Sequence, residues 1–310
     1  MSLRHFLSIT DLDAEELRST LDLAASIKAS PEDYRQLLDG RTLALVFEKP
    51  STRTRVSFDV GMGQLGGRVV ALSTTEMQIG RGETPADTAR VLSRYVDAVA
   101  LRIFAHTDLE AIAAVSSVPI LNALTDDLHP CQAVADFLTV REIFPDMRSV
   151  ELAYVGDGNN VAHSLLLGAA LLGVSIRVAT PPGYEVDDRY LRKAKALAAE
   201  SGSEILTTLD PATAVEGCDV VYTDVWTSMG QEDSAAERLE AFHGFQVDSR
   251  LMSRAKETAV FFHCLPLHRG EEVSAEVADG KQSRVFDQAE NRLHVQKALL
   301  LRLLRPDIEP

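Results

Sequence analysis

Hydroxyl and guanidinium side chains stand together in the sequence Ser-Thr-Arg-Thr-Arg at 51–55. A buried strand is predicted at 44–47, and a helix is predicted to open near Val56, with Pro50 at the join. The unpaired N–H groups and the dipole of a helix N-terminus favour an anion, and a guanidinium group matches the oxygens of a phosphate. A solvated turn is the simpler alternative. Because the hydroxyls and arginines converge before a helix, the segment predicts a site for a phosphate-bearing ligand.

Further polar clusters each follow directly after a predicted strand. In open parallel α/β sheets, ligands bind beyond the carboxyl ends of the strands. We therefore predict that these clusters and the segment 51–55 belong to one site. They are Arg102, His-Pro-Cys-Gln at 129–132, Gly-Asp-Gly-Asn-Asn at 156–160, Asp-Val-Trp-Thr-Ser-Met-Gly at 224–230 and His-Cys-Leu-Pro at 263–266.

Several of these clusters also have a simpler explanation. His129 and Gln132 could donate to an anion or polarise a carbonyl, but His129 could equally cap the helix that follows. Asp224 and Ser228, four positions apart, could hold an ammonium group, although Ser228 also suits a surface turn. Cys264 follows a histidine, which suggests a nucleophile. Neighbours on an extended chain point to opposite faces, however, so we do not expect His263 and Cys264 to form a catalytic pair, and a structural cysteine is equally compatible.

The turn at 156–160 suggests dinucleotide binding only weakly. Val161 occupies the third glycine position of that motif, and 178–180 offers no acidic side chain for a ribose hydroxyl. Asn159 and Asn160 at a helix start could instead cap the helix or hold the carboxylate of an amino acid. A nucleotide-dependent oxidoreductase is an alternative that absence of NAD(P)H binding would exclude.

The amino-acid composition limits the classes of function that the protein can have. The chain has 310 residues, 45% hydrophobic and 25% charged, which suits two α/β domains or one large one. No apolar run approaches the roughly 20 residues needed to cross a bilayer, and the N-terminus lacks the apolar core of a secretory signal. Cys131, Cys218 and Cys264 are too scattered for a disulfide framework, so we expect a cytoplasmic setting. The net charge of −15 disfavours nucleic acid and anionic membranes, whereas the collection of arginines in a few motifs of an acidic chain indicates a small anionic substrate.

Strands that alternate with helices of ten or more residues predict an α/β protein with two doubly wound parallel-sheet domains, which meet near 145–149. Residues 73–84 predict a loop, and the stretch from 224 to 246 is expected to be irregular. Strands are predicted at 42–47, 69–72, 96–101, 119–123, 152–155, 176–179, 205–206, 220–223 and 260–262. Helices are predicted at 10–29, 56–65, 84–95, 108–115, 131–144, 161–172, 188–201 and 289–305.

Taken together, these motifs resemble those of the ornithine carbamoyltransferases. The resemblance rests on Phe-Glu-Lys-Pro-Ser-Thr-Arg-Thr-Arg-Val-Ser-Phe at 47–58 and on the clusters at 129–132, 224–230 and 263–266, and it continues through 80–99, 154–173 and 289–300. It covers nearly the whole chain in order. Ser-Met-Gly at 228–230 separates this family from the aspartate, putrescine and N-acylornithine carbamoyltransferases, and His-Cys-Leu-Pro separates it from the aspartate enzyme.

The resemblance implies that the carbamoyl group of carbamoyl phosphate is transferred to the δ-amine of L-ornithine, in the cleft between the two domains, without a metal or a cofactor. The implied catalytic residues are Arg102, His129, Cys264 and Arg292. Carbamoyl phosphate is expected to contact Ser51, Thr52, Arg53, Thr54, Gln78, Arg102, His129, Gln132, Cys264, Leu265 and Arg292. Ornithine is expected to contact Asn160, Asp224, Ser228 and Met229.

The resemblance also implies an organisation. Residues 1–146 with 289–310 are expected to form the carbamoyl-phosphate-binding domain, and 147–288 the ornithine-binding domain. We expect a homotrimer in which Gln78 reaches the site of a neighbouring subunit, with further assembly of trimers left open, and a role in arginine biosynthesis. Two alternatives remain: a carbamoyltransferase for a related amine, or a catalytically silent relative that senses an amino acid or phosphate.

Overall fold

The computed structural model describes residues 3–75, 77, 82–228 and 230–308, and the chain packs into two compact units. Unit 1 comprises Met1–Leu138 with Glu290–Pro310, and unit 2 comprises Thr139–Ala289. Each unit is built on its own parallel sheet. The predicted α/β class with two parallel-sheet domains is therefore confirmed, whereas the limits predicted for two substrate-binding domains stay a prediction.

Unit 1 contains a four-stranded parallel sheet with the order β2-β1-β3-β4. Strands β3 and β4 are buried along their whole length, which explains their almost entirely apolar sequences. The strands are β1 (Thr42–Phe47), β2 (Arg68–Ser73), β3 (Ala98–Arg102) and β4 (Ile120–Leu124). The helices are α1 (Ala14–Ala29), α2 (Thr52–Gln64), α3 (Pro85–Leu92), α4 (His106–Val115) and α5 (Pro130–Ile143), and the chain passes into unit 2 within α5.

Unit 2 contains a five-stranded parallel sheet with the order β7-β6-β5-β8-β9. Its first helix is buried at every residue from Val161 to Leu172, as its nearly all-apolar sequence predicts. The strands are β5 (Glu151–Val155), β6 (Ser175–Ala179), β7 (Ile205–Thr208), β8 (Val220–Thr223) and β9 (Val260–His263). The helices are α6 (Asn160–Leu172), α7 (Asp188–Ser201), α8 (Pro211–Val215), α9 (Ala235–Ala241), α10 (Ser249–Met252) and α11 (Ala275–Ala278).

The last helix, α12 (Val285–Leu304), begins before the predicted start at 289. From Glu290 onward it belongs to unit 1, where Lys297 Nζ donates to Gln64 Oε1 of α2 at 2.9 Å. None of the described helices, α12 included, is long and apolar enough to cross a membrane.

The strand and helix predictions differ from the structure in the bounds of several elements and in the stretch after β8. Each predicted strand is present, with its ends shifted by no more than about two residues. The stretch after β8 was predicted to be irregular, and this is wrong because it contains α9. Helices of four to seven residues, such as α8 to α11, have too few turns to show the helical period in a sequence.

Candidate active site

The Ser-Thr-Arg-Thr-Arg segment contains the first turn of α2. Ser51 is the N-cap residue, and its hydroxyl oxygen accepts a hydrogen bond from the Thr54 N–H at 3.2 Å. Such a cap satisfies one of the N–H groups that a helix leaves unpaired at its start. The helix begins at Thr52 rather than near Val56 as predicted, so the positive end of its dipole lies within the segment.

Strand register brings Arg102 to the same edge of the sheet. Arg102 ends β3 and is paired with Phe47 at the end of β1. Just beyond, the Glu48 N–H donates to the Arg102 carbonyl at 2.8 Å. Arg102 is buried. Because parallel strands end at one edge, the α2 N-terminus and Arg102 start from neighbouring positions, as the sequence predicts.

Arg292 reaches the same segment from α12. Its Nη2 donates to Thr54 Oγ1 at 2.8 Å, and both residues are buried. A guanidinium group distant in the sequence is thereby held against the first turn of α2, so that two helices of unit 1 contribute to one cationic cluster.

His129 lies close to three guanidinium groups. Burial, followed by the positive charges of Arg292, Arg102 and Arg53, holds the pKa of His129 well below its ordinary value. The imidazole is therefore neutral at pH 7 and can donate one N–H without adding charge. Its backbone carbonyl, rather than its ring, accepts the Gln132 N–H at 3.1 Å as α5 begins. The three guanidinium groups leave positive charge that an anionic ligand would balance.

Gln132 has its amide oriented by Asp136. Its Nε2 donates to Asp136 Oδ1 at 2.7 Å, one turn along α5. The oxygen, Oε1, is buried and accepts no hydrogen bond from any described residue. An ionised carboxylate only accepts, so Asp136 fixes which end of the amide faces it. The sequence suggested that Gln132 donates to an anion, whereas in the structure its Nε2 donates to Asp136 and its Oε1 is left as a buried acceptor.

Two neighbouring residues, Lys49 and Cys131, were not assigned a role of their own from the sequence. Lys49 is buried, forms an ion pair with Asp126 and lies 4.1 Å from the centre of the Phe104 ring, and so anchors the turn before α2. Cys131 donates to the Asn122 carbonyl at 3.3 Å, and burial raises the pKa of its thiol to about 12. A thiol of this pKa is not a nucleophile at neutral pH.

In unit 2, Asn159 connects the start of α6 to Asp224. Its Oδ1 caps α6 by accepting the Val161 N–H at 2.9 Å, and its Nδ2 donates to Asp224 Oδ2 at 2.8 Å. The capping role was one of two alternatives that the sequence left open for Asn159 and Asn160. Asn160 itself begins α6 and is half-buried. Asn159 is thus the residue that orients the Asp224 carboxylate, a role that the sequence did not predict.

Strand register also explains the contact between Asp224 and Cys264. Thr223 at the end of β8 is paired with His263 at the end of β9, so the next residue on each strand lies beside the other. Cys264 Sγ donates to Asp224 Oδ1 at 3.0 Å. The buried carboxylate thus holds a thiol on one oxygen and an amide on the other.

The His263 ring points away from Cys264. It is fully buried, with Nε2 lying 3.2 Å from Glu272 Oε1, and Nδ1 accepts the Leu265 N–H at 2.9 Å. This agrees with the expectation that the adjacent His and Cys do not form a catalytic pair. Leu265 has a φ of 61°, a left-handed conformation that is uncommon for a residue of this size.

The atoms of Asp224, His263 and Cys264 that could bind a metal lie within 4.8 Å of one another. Both ring nitrogens of His263 already face protein partners. A metal would have to displace one of those partners, so this trio fits a hydrogen-bonded structure better than a cation site.

Two residues that are predicted to bind substrate, Gln78 and Met229, lie outside the described residues. Ser228 is half-buried, and its N–H donates to Gln231 Oε1 at 3.0 Å. The remaining predicted residues fall into two sets. The set in unit 1 is Ser51, Thr52, Arg53, Thr54, Arg102, His129, Gln132 and Arg292, and the set in unit 2 is Asn160, Asp224, Ser228, Cys264 and Leu265.

Family models match both parts of the chain. Residues 4–142 match the aspartate/ornithine carbamoyltransferase carbamoyl-P binding domain, and residues 148–303 match the Asp/Orn binding domain of the same family.

Relatives are similar over nearly their whole length. The ornithine carbamoyltransferase of Anoxybacillus flavithermus is 52% identical over 303 residues, which are 97% of this chain and 96% of the relative. The solved ornithine carbamoyltransferase from Pyrococcus furiosus has a TM-score of 0.94 at 50% identity and covers 99% of this chain and 98% of its own. The anabolic enzyme from Campylobacter jejuni has a TM-score of 0.92 at 39% identity, covering 97% and 99%.

Proposed function

The chain belongs to the aspartate/ornithine carbamoyltransferase family, and we propose that it transfers the carbamoyl group of carbamoyl phosphate to the δ-amine of L-ornithine, giving L-citrulline and phosphate. The observation that carries this proposal is the hydrogen bond from Arg292 to Thr54 in the first turn of α2, together with the charges of Arg53, Arg102 and Arg292 that hold the pKa of His129 low. The identity of the acceptor is supported by the relatives, which are named ornithine carbamoyltransferases.

Unit 1 supplies the residues proposed for carbamoyl phosphate. The phosphate is assigned to the first turn of α2, with Ser51, Thr52, Arg53 and Thr54, because N–H groups, hydroxyls and a guanidinium converge there. The carbamoyl oxygen is assigned to Arg102, His129 and Arg292. The buried acceptor Oε1 of Gln132 suits the amide N–H of the same group.

Unit 2 supplies the residues proposed for ornithine. The Asp224 carboxylate is assigned to the α-ammonium group, since a buried carboxylate is stabilised by a cation. Asn160, Ser228 and Met229 are assigned to the remaining polar atoms of the amino acid. Cys264 and the Leu265 carbonyl are assigned to the side of the carbamoyl group that the amine attacks.

The proposed chemistry proceeds by addition and elimination. The δ-amine must first lose a proton, because a free alkyl ammonium group has a pKa of about 10.4. Its lone pair then attacks the carbamoyl carbon, and the carbonyl oxygen becomes an oxyanion. Each donor already in place at that oxygen contributes about 3 kcal/mol, and Arg102, His129 and Arg292 are the proposed donors. The first amine proton passes to solvent before the attack. The bond to the phosphate oxygen then breaks, and phosphate leaves with the second proton of the amine nitrogen while the α2 N-terminus and Arg53 hold it.

We also propose the setting of the enzyme. The family resemblance supports a homotrimer in which Gln78 completes a neighbouring site, and the scattered cysteines support the cytoplasm. A biosynthetic role is supported by a similar structure that is named anabolic.

The proposal is tested by citrulline formation from the two substrates with purified protein. Arg53→Gln should lower turnover by about three orders of magnitude, because it removes the guanidinium at the phosphate while retaining a helix-forming residue. Arg18→Gln, at an exposed position on α1 of the same unit, is the matched control and should retain full activity. Absence of citrulline with the wild-type protein, or full activity of Arg53→Gln, would contradict the proposal.

A further inference from the structure

A buried ion pair in unit 2 involves two residues that have no assigned role in binding. Arg238 Nη1, on α9, donates to Asp157 Oδ2 at 2.8 Å, in the turn that follows β5. The two side chains are 11% and 8% exposed. Burial, and to a smaller extent the negative charge of Asp224, raise the pKa of Asp157 above its ordinary value, although the charge and hydrogen bond of Arg238 oppose that effect. Burying two charges costs desolvation free energy, and their mutual attraction offsets that cost only when the geometry of the pair is well defined.

The same nitrogen holds a second segment. Arg238 Nη1 also donates to the Trp226 carbonyl, at 2.7 Å. Trp226 lies two residues after Asp224, and Asp157 lies two residues before Asn159. One guanidinium group therefore connects the segment that carries Asp224 with the turn that leads into α6.

Aromatic packing keeps this guanidinium in place. Its central carbon lies 4.9 Å from the centre of the Tyr184 ring, and the Tyr184 carbonyl accepts the Gly158 N–H at 2.9 Å. Trp226 is stacked on Phe242 with ring centres 5.6 Å apart. Tyr184 also contacts Phe242, with ring centres 4.9 Å apart, so the turn and the segment pack against the same aromatic side chain.

Gly158 shows how closely the turn packs. A Cβ atom at this position would lie 2.4 Å from the Val186 backbone nitrogen, so no other residue fits without moving the backbone. The Asn159–Asp224 hydrogen bond therefore joins two segments, each of which is fixed by further contacts within unit 2.

We propose that Arg238 and Asp157 are positioning residues that hold the segment from Asp224 to Ser228 against the turn at 157–160 and thereby set the affinity for the amino-acid substrate. This inference rests on the proposed function, in which Asn160, Asp224 and Ser228 contact ornithine. Arg238 and Asp157 themselves do not contact the substrate, but they fix the relative positions of the residues that are proposed to contact it.

Two variants separate positioning from simple stability. Arg238→Met removes the guanidinium and leaves Asp157 buried without its partner, so thermal stability and ornithine affinity should both fall. The double variant Asp157→Asn with Arg238→Met removes the unpaired charge as well. Its melting temperature should recover, while its KM for ornithine should stay about 10- to 100-fold raised, since a displaced Asp224 makes weaker charge-assisted hydrogen bonds to the substrate. The KM for carbamoyl phosphate should change less than twofold.

Fluorescence provides a readout that does not depend on turnover. Trp226 is the only tryptophan in the chain. In both variants its emission should shift to the red and acrylamide should quench it more strongly, because the carbonyl of Trp226 is no longer held. Arg238→Lys keeps the charge and should recover part of the ornithine affinity. Arg192→Met is the matched control, since that arginine forms an exposed pair with Asp188 in the same unit.

The outcomes distinguish this inference from the proposed function. If the wild-type protein forms no citrulline, the proposed function fails. If the wild type is active and the double variant regains ornithine affinity together with stability, the pair is structural and the inference is overturned. Equal changes in the KM values of both substrates, or unchanged Trp226 emission, would also overturn it.

Discussion

The two sets of candidate residues differ in charge and in the direction of their hydrogen bonds. In unit 1, the positive charges of Arg53, Arg102 and Arg292 act on a neutral imidazole, and Arg292 donates to the first turn of α2. In unit 2, the central group is the Asp224 carboxylate, which accepts from an amide and a thiol. The first set presents mainly donors and positive charge, and the second presents an acceptor with negative charge.

This difference indicates that the two units bind ligand groups of opposite charge. A buried cationic cluster is stabilised by an anion, and a buried carboxylate is stabilised by a cation. Carbamoyl phosphate carries the negative charge, and ornithine carries the ammonium groups. We therefore expect changes in unit 1 and changes in unit 2 to affect different substrates.

The largest effect is expected from Arg102→Gln in unit 1. The variant removes a charged donor proposed for the oxyanion, so kcat should fall about 1,000-fold. Initial-rate kinetics at saturating concentrations of both substrates measure it. A fall of less than tenfold would place Arg102 outside the reacting centre.

Asp224→Asn in unit 2 should act on the other substrate. Loss of the negative charge weakens the hydrogen bonds to the α-ammonium group, so the KM for ornithine should rise about 10- to 100-fold. The KM for carbamoyl phosphate should stay within threefold. A larger change for carbamoyl phosphate than for ornithine would reverse the comparison between the units.

Asp136→Asn should have a smaller effect, confined to carbamoyl phosphate. Its amide can donate as well as accept, so the Gln132 amide loses its fixed orientation. One hydrogen bond to the carbamoyl N–H is then weakened, and the KM for carbamoyl phosphate should rise about fivefold. Inhibition by inorganic phosphate, which has no N–H, should be unaltered, and an equal loss for phosphate would contradict the role given to Gln132.

The smallest effect concerns the protonation of His129. Its pKa is held low in the folded state, so below about pH 6.5 only the unfolded chain gains this proton. Stability attributable to His129 is therefore present above pH 6.5 and is lost as the pH falls below it, by up to about 1.4 kcal/mol per pH unit. His129→Gln should make unfolding less sensitive to pH between 5 and 6.5, as thermal melts at several pH values would measure. An unchanged pH dependence would mean that His129 is protonated in the folded enzyme.

Much of this architecture could be predicted from the sequence because its causes are local. The strands of both sheets are short apolar runs between turn residues, and each polar cluster follows a strand end. Parallel pairing then brings Arg102 beside the segment after β1, and Cys264 beside Asp224. Adjacency in a parallel sheet could be inferred without knowing any side-chain contact.

The rest depends on contacts between residues that are distant in the sequence. Nothing near Arg292 indicates that it donates to Thr54, and only the family resemblance suggested its role. The neutrality of His129 arises from burial among three charges, which no local pattern encodes. Arg238 lies on a helix too short to show a period, and its partners Asp157 and Trp226 come from separate strand ends.

The central claim is that unit 1 holds the carbamoyl donor and unit 2 selects ornithine as the acceptor. ¹³C NMR of purified protein with ¹³C-labelled carbamoyl phosphate tests it directly when L-ornithine, putrescine and N-acetyl-L-ornithine are offered as acceptors. Putrescine lacks the α-carboxylate, and N-acetylornithine lacks the α-ammonium group that Asp224 is proposed to bind. The account predicts labelled citrulline from L-ornithine at a rate at least about 100-fold above either alternative, a factor that two lost charge-assisted hydrogen bonds supply. Comparable labelling of putrescine or N-acetylornithine, or no labelled citrulline, would contradict it.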